Sequence, residues 1–298
     1  FIQHGGILKF GIAGIRAMDF SRRSFHSFPS MTPDMHALSP RILVNETFAL
    51  AEGPVWFGDR LWWVDINAGF LHSSDADGGN RRSYNVGRKV GAAAPIDVGR
   101  FVVAVEDGLG VLDLETAAVR MLASPEQDVP GNRFNDGKCD PAGRFVAGTL
   151  SMTGQPKAAA LYSVDGKGFV QKIFAPVALS NGLAWSHDGR TLYYIDSLSY
   201  EIAAFPYDLR TGQLGNRRVV VRVPKEAGIP DGMTIDEEGN LWVAHWGGWA
   251  VRCWSPVTGQ CLAEIPMPCA CPSCCCFGGP DLDRLFITSA ISESPEER

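Results

Sequence analysis

Apolar and polar positions along this chain alternate in short runs, and one phrase keeps returning. A polar turn of Asp or Gly followed by Arg or Asn leads into a β-branched and aromatic run. The copies are D-R-L-W-W-V-D from Asp59, G-R-F-V-V-A-V from Gly99 and G-R-F-V-A-G-T from Gly143, then G-R-T-L-Y-Y-I-D from Gly189, G-N-L-W-V-A-H from Gly239 and D-R-L-F-I-T-S from Asp283. Val, Ile, Phe, Tyr and Trp in such runs mark strands, and helical periodicity is scarce. Aligned on their second residue, the markers are Arg60, Arg100, Arg144, Arg190, Asn240 and Arg284. They recur at about 40 to 50 residues, the length of one four-stranded propeller blade.

Six such units predict an all-β chain closed as a six-bladed β-propeller. A sandwich would also give regular strands, but not one turn-plus-strand phrase six times at blade length. The propeller is expected to span residues 39–298, with R-I-L-V-N-E-T-F (Arg41 to Phe48) as the N-terminal contribution to the last blade. After F-I-T-S-A the sequence runs S-E-S-P-E-E-R, with no further strand. The last blade is therefore expected to be C-terminally incomplete, with an open edge. Residues 1–38 are expected to form an extension outside the fold, disordered or non-native, with a degenerate targeting segment as the alternative.

The repeat gives the polar residues a phase. The strand ahead of each marker should be the innermost one, lining a central channel. Nine positions before Arg144, Arg190 and Asn240 stand Asn135, Asn181 and Asp231, and eight before Arg60 stands Glu52; the second and sixth units give Gly91 and Cys275. Residues at one phase of a closed ring converge on its axis. A single Asn-Gly or Asp-Gly is ordinary turn chemistry, but four oxygen-bearing side chains at matching phase point to a shared site. Carboxylate and amide oxygens without an imidazole suit a hard divalent cation such as calcium, magnesium or manganese better than a structural zinc.

Composition narrows the partners. At 298 residues, 45% hydrophobic and 20% charged, the chain has the make-up of a soluble globular protein. A net charge of −6 without a Lys/Arg-rich block argues against nucleic acid or an anionic membrane. No apolar run reaches the roughly 18–20 residues of a membrane span. Of eight cysteines, five crowd into C-A-C-P-S-C-C-C, Cys269 to Cys276. Adjacent cysteines on a strand point to opposite faces, so buried thiols in a reducing cytoplasm fit better than a zinc site.

The phrases A-E-G-P-V-W, R-F-N-D-G-K-x-D-P-x-G-R-F, S-N-G-L-A-W-S, Y-Y-I-D-S, P-D-G-M-T-I-D-x-E-G-N-L-W-V-A and C-C-F-G-G-P-D-L-D-x-L-F-I-T-S-A, in this order, resemble the senescence marker protein/gluconolactonase family of sugar lactonases, also called the regucalcin family. The resemblance covers nearly all of the chain from about Ser39. It implies a six-bladed propeller whose metal ligands are Glu52, Asn181 and Asp231 and whose substrate contacts include Arg133 and Asn135. The bound ion would be one divalent cation: calcium, zinc, manganese, magnesium or iron. Some animal members carry acidic residues after A-G-T-M, where this chain has A-G-T-L-S-M-T.

The expected activity is hydrolysis of sugar-acid lactones to aldonic acids. The cation would stabilise the tetrahedral oxyanion, Asp231 would also serve as general base, and Arg133 and Asn135 would hold substrate oxygens. His245, in W-V-A-H-W-G-G, is a candidate substrate contact. Asp65, Asp140, Asp196 and Asp236 are expected to stabilise turns and strand ends, and Asp136 to brace the Asn135 turn. No G-x-S-x-G elbow supports a serine-hydrolase route. The alternatives are a calcium-binding regulatory propeller without significant turnover, and an esterase or organophosphatase of a related propeller type. The expected partner is a small-molecule sugar lactone, and the expected state a monomer or weak dimer.

Overall fold

The recurring polar turn is a strand connector held by its own side chains. In D-P-A-G-R, Asp140 Oδ1 accepts the backbone amides of Ala142 and Arg144 at 2.9 and 2.8 Å. In D-E-E-G-N, Asp236 Oδ1 accepts the amide of Asn240 at 2.7 Å, and Asp188 Oδ1 accepts that of Arg190 at 3.0 Å. Such Asx turns put the penultimate residue at positive φ, which Gly143, Gly189 and Gly239 adopt without strain. Each marker residue then leads into the second strand of a sheet.

The computed structural model describes residues 7–11, 40–155 and 158–291. Two strands open the chain, β1 (Ile7–Gly11) and β2 (Arg41–Val44). The first sheet follows as β3 (Ala51–Phe57), β4 (Arg60–Asp65), β5 (Phe70–Ser74) and β6 (Arg82–Asn85), and the second as β7 (Val90–Asp97), β8 (Arg100–Val105), β9 (Gly108–Asp113) and β10 (Val119–Ala123). The third is β11 (Asn132–Cys139), β12 (Phe145–Ser151), β13 (Ala159–Val164) and β14 (Val170–Val177). The fourth comprises β15 (Ser180–Trp185), β16 (Thr191–Asp196) and β17 (Glu201–Asp208), with β18 (Gln213–Leu214) and β19 (Arg218–Arg222) both paired to β17. The fifth is β20 (Ile229–Ile235), β21 (Leu241–Trp246), β22 (Ala250–Trp254) and β23 (Cys261–Pro266).

Those five sheets are antiparallel meanders of consecutive strands. The remaining hairpin, β24 (Cys271–Gly278) and β25 (Arg284–Ala290), takes its outer strands from the start of the chain, in the order β24-β25-β1-β2. The edge of β25, expected to stay open, is instead paired: Ile7 to Gly11 lie antiparallel to Thr288 to Arg284. That strand falls inside the segment expected to stand outside the fold. Residues 1–6 and 12–38 of the segment lie outside the described residues. Pairing both sides of β1 satisfies backbone groups that would otherwise present a template for association.

The first strand of each sheet meets the first strand of the next around a central axis: β3 with β7, then β11, β15, β20 and β24, which returns to β3. The chain is thus an all-β propeller. Its core lies in the wedges between neighbouring sheets. Because successive strand residues face opposite ways, Trp62 and Val64 pack toward Phe101 and Val103 of the second sheet, while Leu61 and Trp63 pack toward Cys276 and Phe286 of β24 and β25. The W-W doublet fills two wedges at once. Tyr194 and Ile195 split in the same way between the third–fourth and fourth–fifth wedges.

Candidate metal and substrate site

In each described sheet the innermost strand breaks register at a corresponding place. The shifts fall between Glu52 and Val55, Val90 and Ala92, Phe134 and Gly137, Ser180 and Leu183, Pro230 and Met233, and Pro272 and Cys274. A bulge interrupts the alternation of side chains and re-aims those within it. Asn135, Asn181 and Asp231 lie inside three of these bulges, and Glu52 opens another. Counting back nine residues falls two short in the sixth unit: the bulged residue there is Ser273, eleven before Arg284. Cys275 instead sits in the wedge with Trp242 and Leu285, its Sγ donating to the Trp242 carbonyl at 3.3 Å.

The entry into two of these strands is clamped from the adjacent strand. Asp65, at the end of β4, accepts the amides of Ala49 and Leu50 at 2.9 and 3.1 Å, just ahead of Glu52. Asp196, at the end of β16, accepts those of Ala178 and Leu179 at 3.0 Å each, just ahead of Asn181. The W-W-V-D and Y-Y-I-D endings thus position the site residues that precede them in the chain. Small residues let the inner strands approach: a Cβ on Gly91 would lie 2.4 Å from the Asn135 carbonyl oxygen, and one on Gly232 would lie 2.3 Å from Cys274 Sγ.

Glu52, Asn135, Asp136, Asn181 and Asp231 are all buried. Asn135 Nδ2 donates to Asn181 Oδ1 at 3.1 Å and to the Ser180 carbonyl at 2.9 Å. Its Oδ1 accepts from Arg133 Nη1 at 2.8 Å, and the same nitrogen donates to the Phe134 carbonyl at 2.9 Å. The carboxylates have few donors of their own. Glu52 Oε2 accepts the amide of Gly53 at 2.9 Å, and Asp136 Oδ1 accepts that of Gly137 at 2.7 Å.

Burial pushes the Glu52 carboxyl up to about 8, the Asp136 charge adds to the shift, and the Gly53 amide and Arg133 oppose it. Asp231 is raised well above the usual carboxylate range by burial, then by Glu52 and Asp136, against the pull of Arg133 and the Gly232 amide. Asp136 is raised by burial and restrained by Lys138. Arg133 is itself held down by burial, although Glu52, Asp231 and Glu106 support its charge. Buried carboxylates this close together are costly unless a cation compensates them.

Among the described residues, no three His, Cys, Asp or Glu side chains group closely enough to hold a metal ion by themselves. The expected set differs in kind, because its third donor is the Asn181 amide oxygen. Two buried carboxylates and a buried amide are the donor types of a hard divalent cation, and the residue chemistry of Glu52, Asn181 and Asp231 fits one on that ground.

Residues 50–291 match the SMP-30/Gluconolactonase/LRE-like region. The chain belongs to that family. Regucalcin of Xenopus laevis is 38% identical over 270 residues, covering 88% of this chain and 90% of the frog protein. A solved structure from Agrobacterium tumefaciens, described as a calcium-binding protein, regucalcin, is 32% identical with a TM-score of 0.78, over 84% of this chain and 85% of its own. A gluconolactonase from Xanthomonas campestris is 25% identical with a TM-score of 0.66, over 82% and 84%.

Beside the buried cluster, this family member has a cavity of about 570 Å³ lined by Lys89, Glu106, Asn132, Arg133, Thr149 and Met152, among others. Arg133 joins the two regions. It borders the cavity and bonds Asn135, and its buried Nε has no hydrogen-bond partner among the described residues. Glu126 shapes one wall, accepting from Asn132 Nδ2 at 2.8 Å, Thr149 Oγ1 at 3.0 Å and Tyr162 Oη at 2.9 Å. Sequence reading missed Glu126, which stands in a loop outside the repeat phase.

His245 is not among the residues lining this cavity. It is fully buried against Trp254, whose Nε1 donates to His245 Nε2 at 3.2 Å. Burial, then the Arg252 charge, pushes its pKa down to about 3, so it is neutral at physiological pH. The eight cysteines are free thiols. No helix among the described residues is long and apolar enough to cross a membrane.

Proposed function

We propose that the protein is a six-bladed propeller with a central divalent cation and that it hydrolyses sugar-acid lactones to aldonic acids. One observation carries this reading. A buried cluster of hard oxygen donors, Glu52, Asn181 and Asp231, adjoins through Asn135 and Arg133 a polar cavity large enough for a monosaccharide lactone. Family membership and the likeness to a gluconolactonase support the reaction class.

When bound by Glu52, Asn181 and Asp231, the cation would supply electrostatic stabilisation of the negative charge that develops on the lactone carbonyl oxygen. The other roles fall to the chain's own groups. Asp231 accepts the proton of the attacking water. The water oxygen bonds to the carbonyl carbon, the ring C–O bond breaks, and the ring oxygen leaves as a hydroxyl after taking up the proton that Asp231 received. Arg133 turns its remaining donors to substrate hydroxyls, with Asn135 holding the guanidinium in place. Charged and amide side chains in the cavity wall, among them Lys89, Glu106, Glu126, Asn132 and Arg133, offer partners to the hydroxyls of a polyol.

A second reading has its own support. The Agrobacterium tumefaciens relative is described as calcium-binding, and a carboxylate-rich site serves that role without turnover. We place the protein in the cytoplasm as a monomer or weak dimer; the free thiols are in keeping with a reducing compartment. The deciding experiment is a pH-indicator screen of glucono-, galactono-, arabinono- and xylonolactones with calcium, manganese, magnesium or zinc, repeated with chelator. Acid release that disappears on chelation is expected. Acid release from none of the lactones would leave the calcium-binding reading, and chelator-insensitive hydrolysis would remove the proposed role of the cation.

A further inference from the structure

Ser197 belongs to none of the repeated site positions. It opens a short 3-10 turn, Ser197–Ser199, directly after β16, and it is fully buried. Its amide donates to the Leu179 carbonyl at 3.0 Å, which fixes its backbone beside the entry to β15. Its hydroxyl stands between two strands of the cluster. Oγ donates to the Pro230 carbonyl at 2.7 Å, and it accepts from Asn181 Nδ2 at 2.9 Å.

The direction of these bonds follows from donor arithmetic. A carbonyl oxygen can only accept, so the single hydroxyl proton of Ser197 goes to Pro230. The oxygen then has only lone pairs left for Asn181, which must present its NH₂ there. That orientation turns Asn181 Oδ1 the other way, where Asn135 Nδ2 meets it at 3.1 Å. Asn135 is held in the matching orientation from its own side, its Oδ1 accepting from Arg133 at 2.8 Å and its Nδ2 donating to the Ser180 carbonyl at 2.9 Å, so Asn181 is fixed from both ends. One run of bonds, Arg133 to Asn135 to Asn181 to Ser197 to Pro230, points a single way and ends beside Asp231.

We propose that Ser197 is the positioning residue of the cation site: its hydroxyl selects the amide rotamer of Asn181 that offers oxygen rather than NH₂ to the cation, and it ties that choice to the strand carrying Asp231. This rests on the reading of Glu52, Asn181 and Asp231 as cation ligands. Without the hydroxyl, Asn181 keeps only the Asn135 amide to hold its orientation, its NH₂ loses its acceptor, and the flipped amide, which places N–H donors against a cation, becomes more accessible. Groups that orient a metal ligand typically govern affinity by about 10- to 100-fold.

The test is calorimetric titration of the full chain with Mn²⁺ and Ca²⁺, comparing wild type, Glu52→Gln, Ser197→Ala and the near-isosteric Ser197→Cys. Wild type is expected to bind one equivalent, Glu52→Gln to lose it, and both Ser197 variants to bind about 10- to 100-fold more weakly. Their circular dichroism in chelator should remain that of a folded protein, with a lower Tm from the two buried bonds that Ser197 no longer makes. Asn181→Asp supplies the second readout. A carboxylate has two oxygens and no orientation to choose, so adding Ser197→Ala to Asn181→Asp should cost far less affinity than adding it to wild type.

No binding by wild type, or binding unchanged in Glu52→Gln, would overturn the cation reading and this inference with it. Glu52-dependent binding that Ser197→Ala leaves within about threefold of wild type would overturn the role of Ser197 alone, being well short of the loss typical of such groups. A full penalty persisting in Asn181→Asp, or unfolding of both Ser197 variants in chelator, would also overturn it by assigning Ser197 to the fold.

Discussion

The amide of Asn135 donates to the side-chain oxygen of Asn181 at 3.1 Å, although 46 residues separate the two. Each lies in the bulge of an innermost strand, and those strands belong to neighbouring sheets. The contact joins the residue that holds Arg133 at the cavity to a proposed ligand of the cation. In the proposed site, substrate recognition and cation binding would share one hydrogen-bonded frame, strongest in effect at the end that is changed.

Arg133→Lys tests the substrate end. Arg133 uses Nη1 to bond both Phe134 and Asn135 and keeps further donors for the cavity. A lysine is a point donor that cannot hold Asn135 and bind a polyol together. Lactone kcat/KM is expected to fall about 10- to 100-fold, with a rise in KM as the larger part. Steady-state rates by pH indicator measure it. Cation affinity should change much less, and an equal loss of both would place Arg133 in the cation site itself.

Asp231→Asn removes the proposed base while keeping the side-chain volume. Its expected effect is a fall in kcat of about 10²- to 10⁴-fold, the range typical of a lost general base, with protein that remains folded by circular dichroism. Removing a buried, poorly compensated charge should also raise the Tm measured in chelator. Near-normal turnover in this variant would place the proton transfer elsewhere.

His245 gives a pH dependence of stability. Its pKa is about 3 in the folded protein, against an ordinary value of 6.5. The unfolded chain takes up this proton as pH falls below 6.5, and the folded protein does not until about pH 3. The contribution of neutral His245 is therefore complete above 6.5 and is lost as the pH drops, by up to about 1.4 kcal/mol per pH unit. Urea denaturation between pH 4 and 7, compared with His245→Phe, should show a flatter profile in the variant by about one proton. Identical slopes would mean that His245 titrates alike in both states.

The repeat made much of this arrangement readable. A polar turn followed by an aromatic run marks the second strand of a sheet because the turn needs Asp and Gly and the strand needs to fill two wedges. The position ahead of it then falls on the axis. The phase slipped in the sixth unit, where Arg284 is itself the first paired residue of β25 and the bulge lies eleven residues before it, so Ser273 occupies the place that counting gave to Cys275. The strand β1 could not be seen as part of the last sheet, because I-L-K-F-G lies far from its partner β25 in sequence and carries no copy of the phrase. His245 looked accessible because it follows an inner strand, but the stacked Trp254 that buries it belongs to the next strand outward. Ser197 and Glu126 act through hydrogen bonds to partners set by three-dimensional neighbours, which no spacing along the chain announces.

The Asp clamps supply a last prediction, one that separates geometry from charge. Asp196 uses both carboxylate oxygens, one for each of the Ala178 and Leu179 amides, and so holds the chain two residues ahead of Asn181. Asp196→Ala leaves both amides without that partner and should cost about 2–4 kcal/mol by urea denaturation in chelator. Asp196→Asn offers one acceptor oxygen and one NH₂, so it can satisfy one amide and must turn a donor on the other. It should therefore recover no more than about half of the loss. Asp65→Ala, in the equivalent clamp ahead of Glu52, should cost more, because Asp65 is buried whereas Asp196 is half-buried, where water can replace the lost acceptor. Both alanine variants should also weaken Mn²⁺ binding, since each loosens the strand entry that sets a proposed ligand. Full stability in Asp196→Asn would show that one bond suffices and that the paired clamp is not what places Asn181.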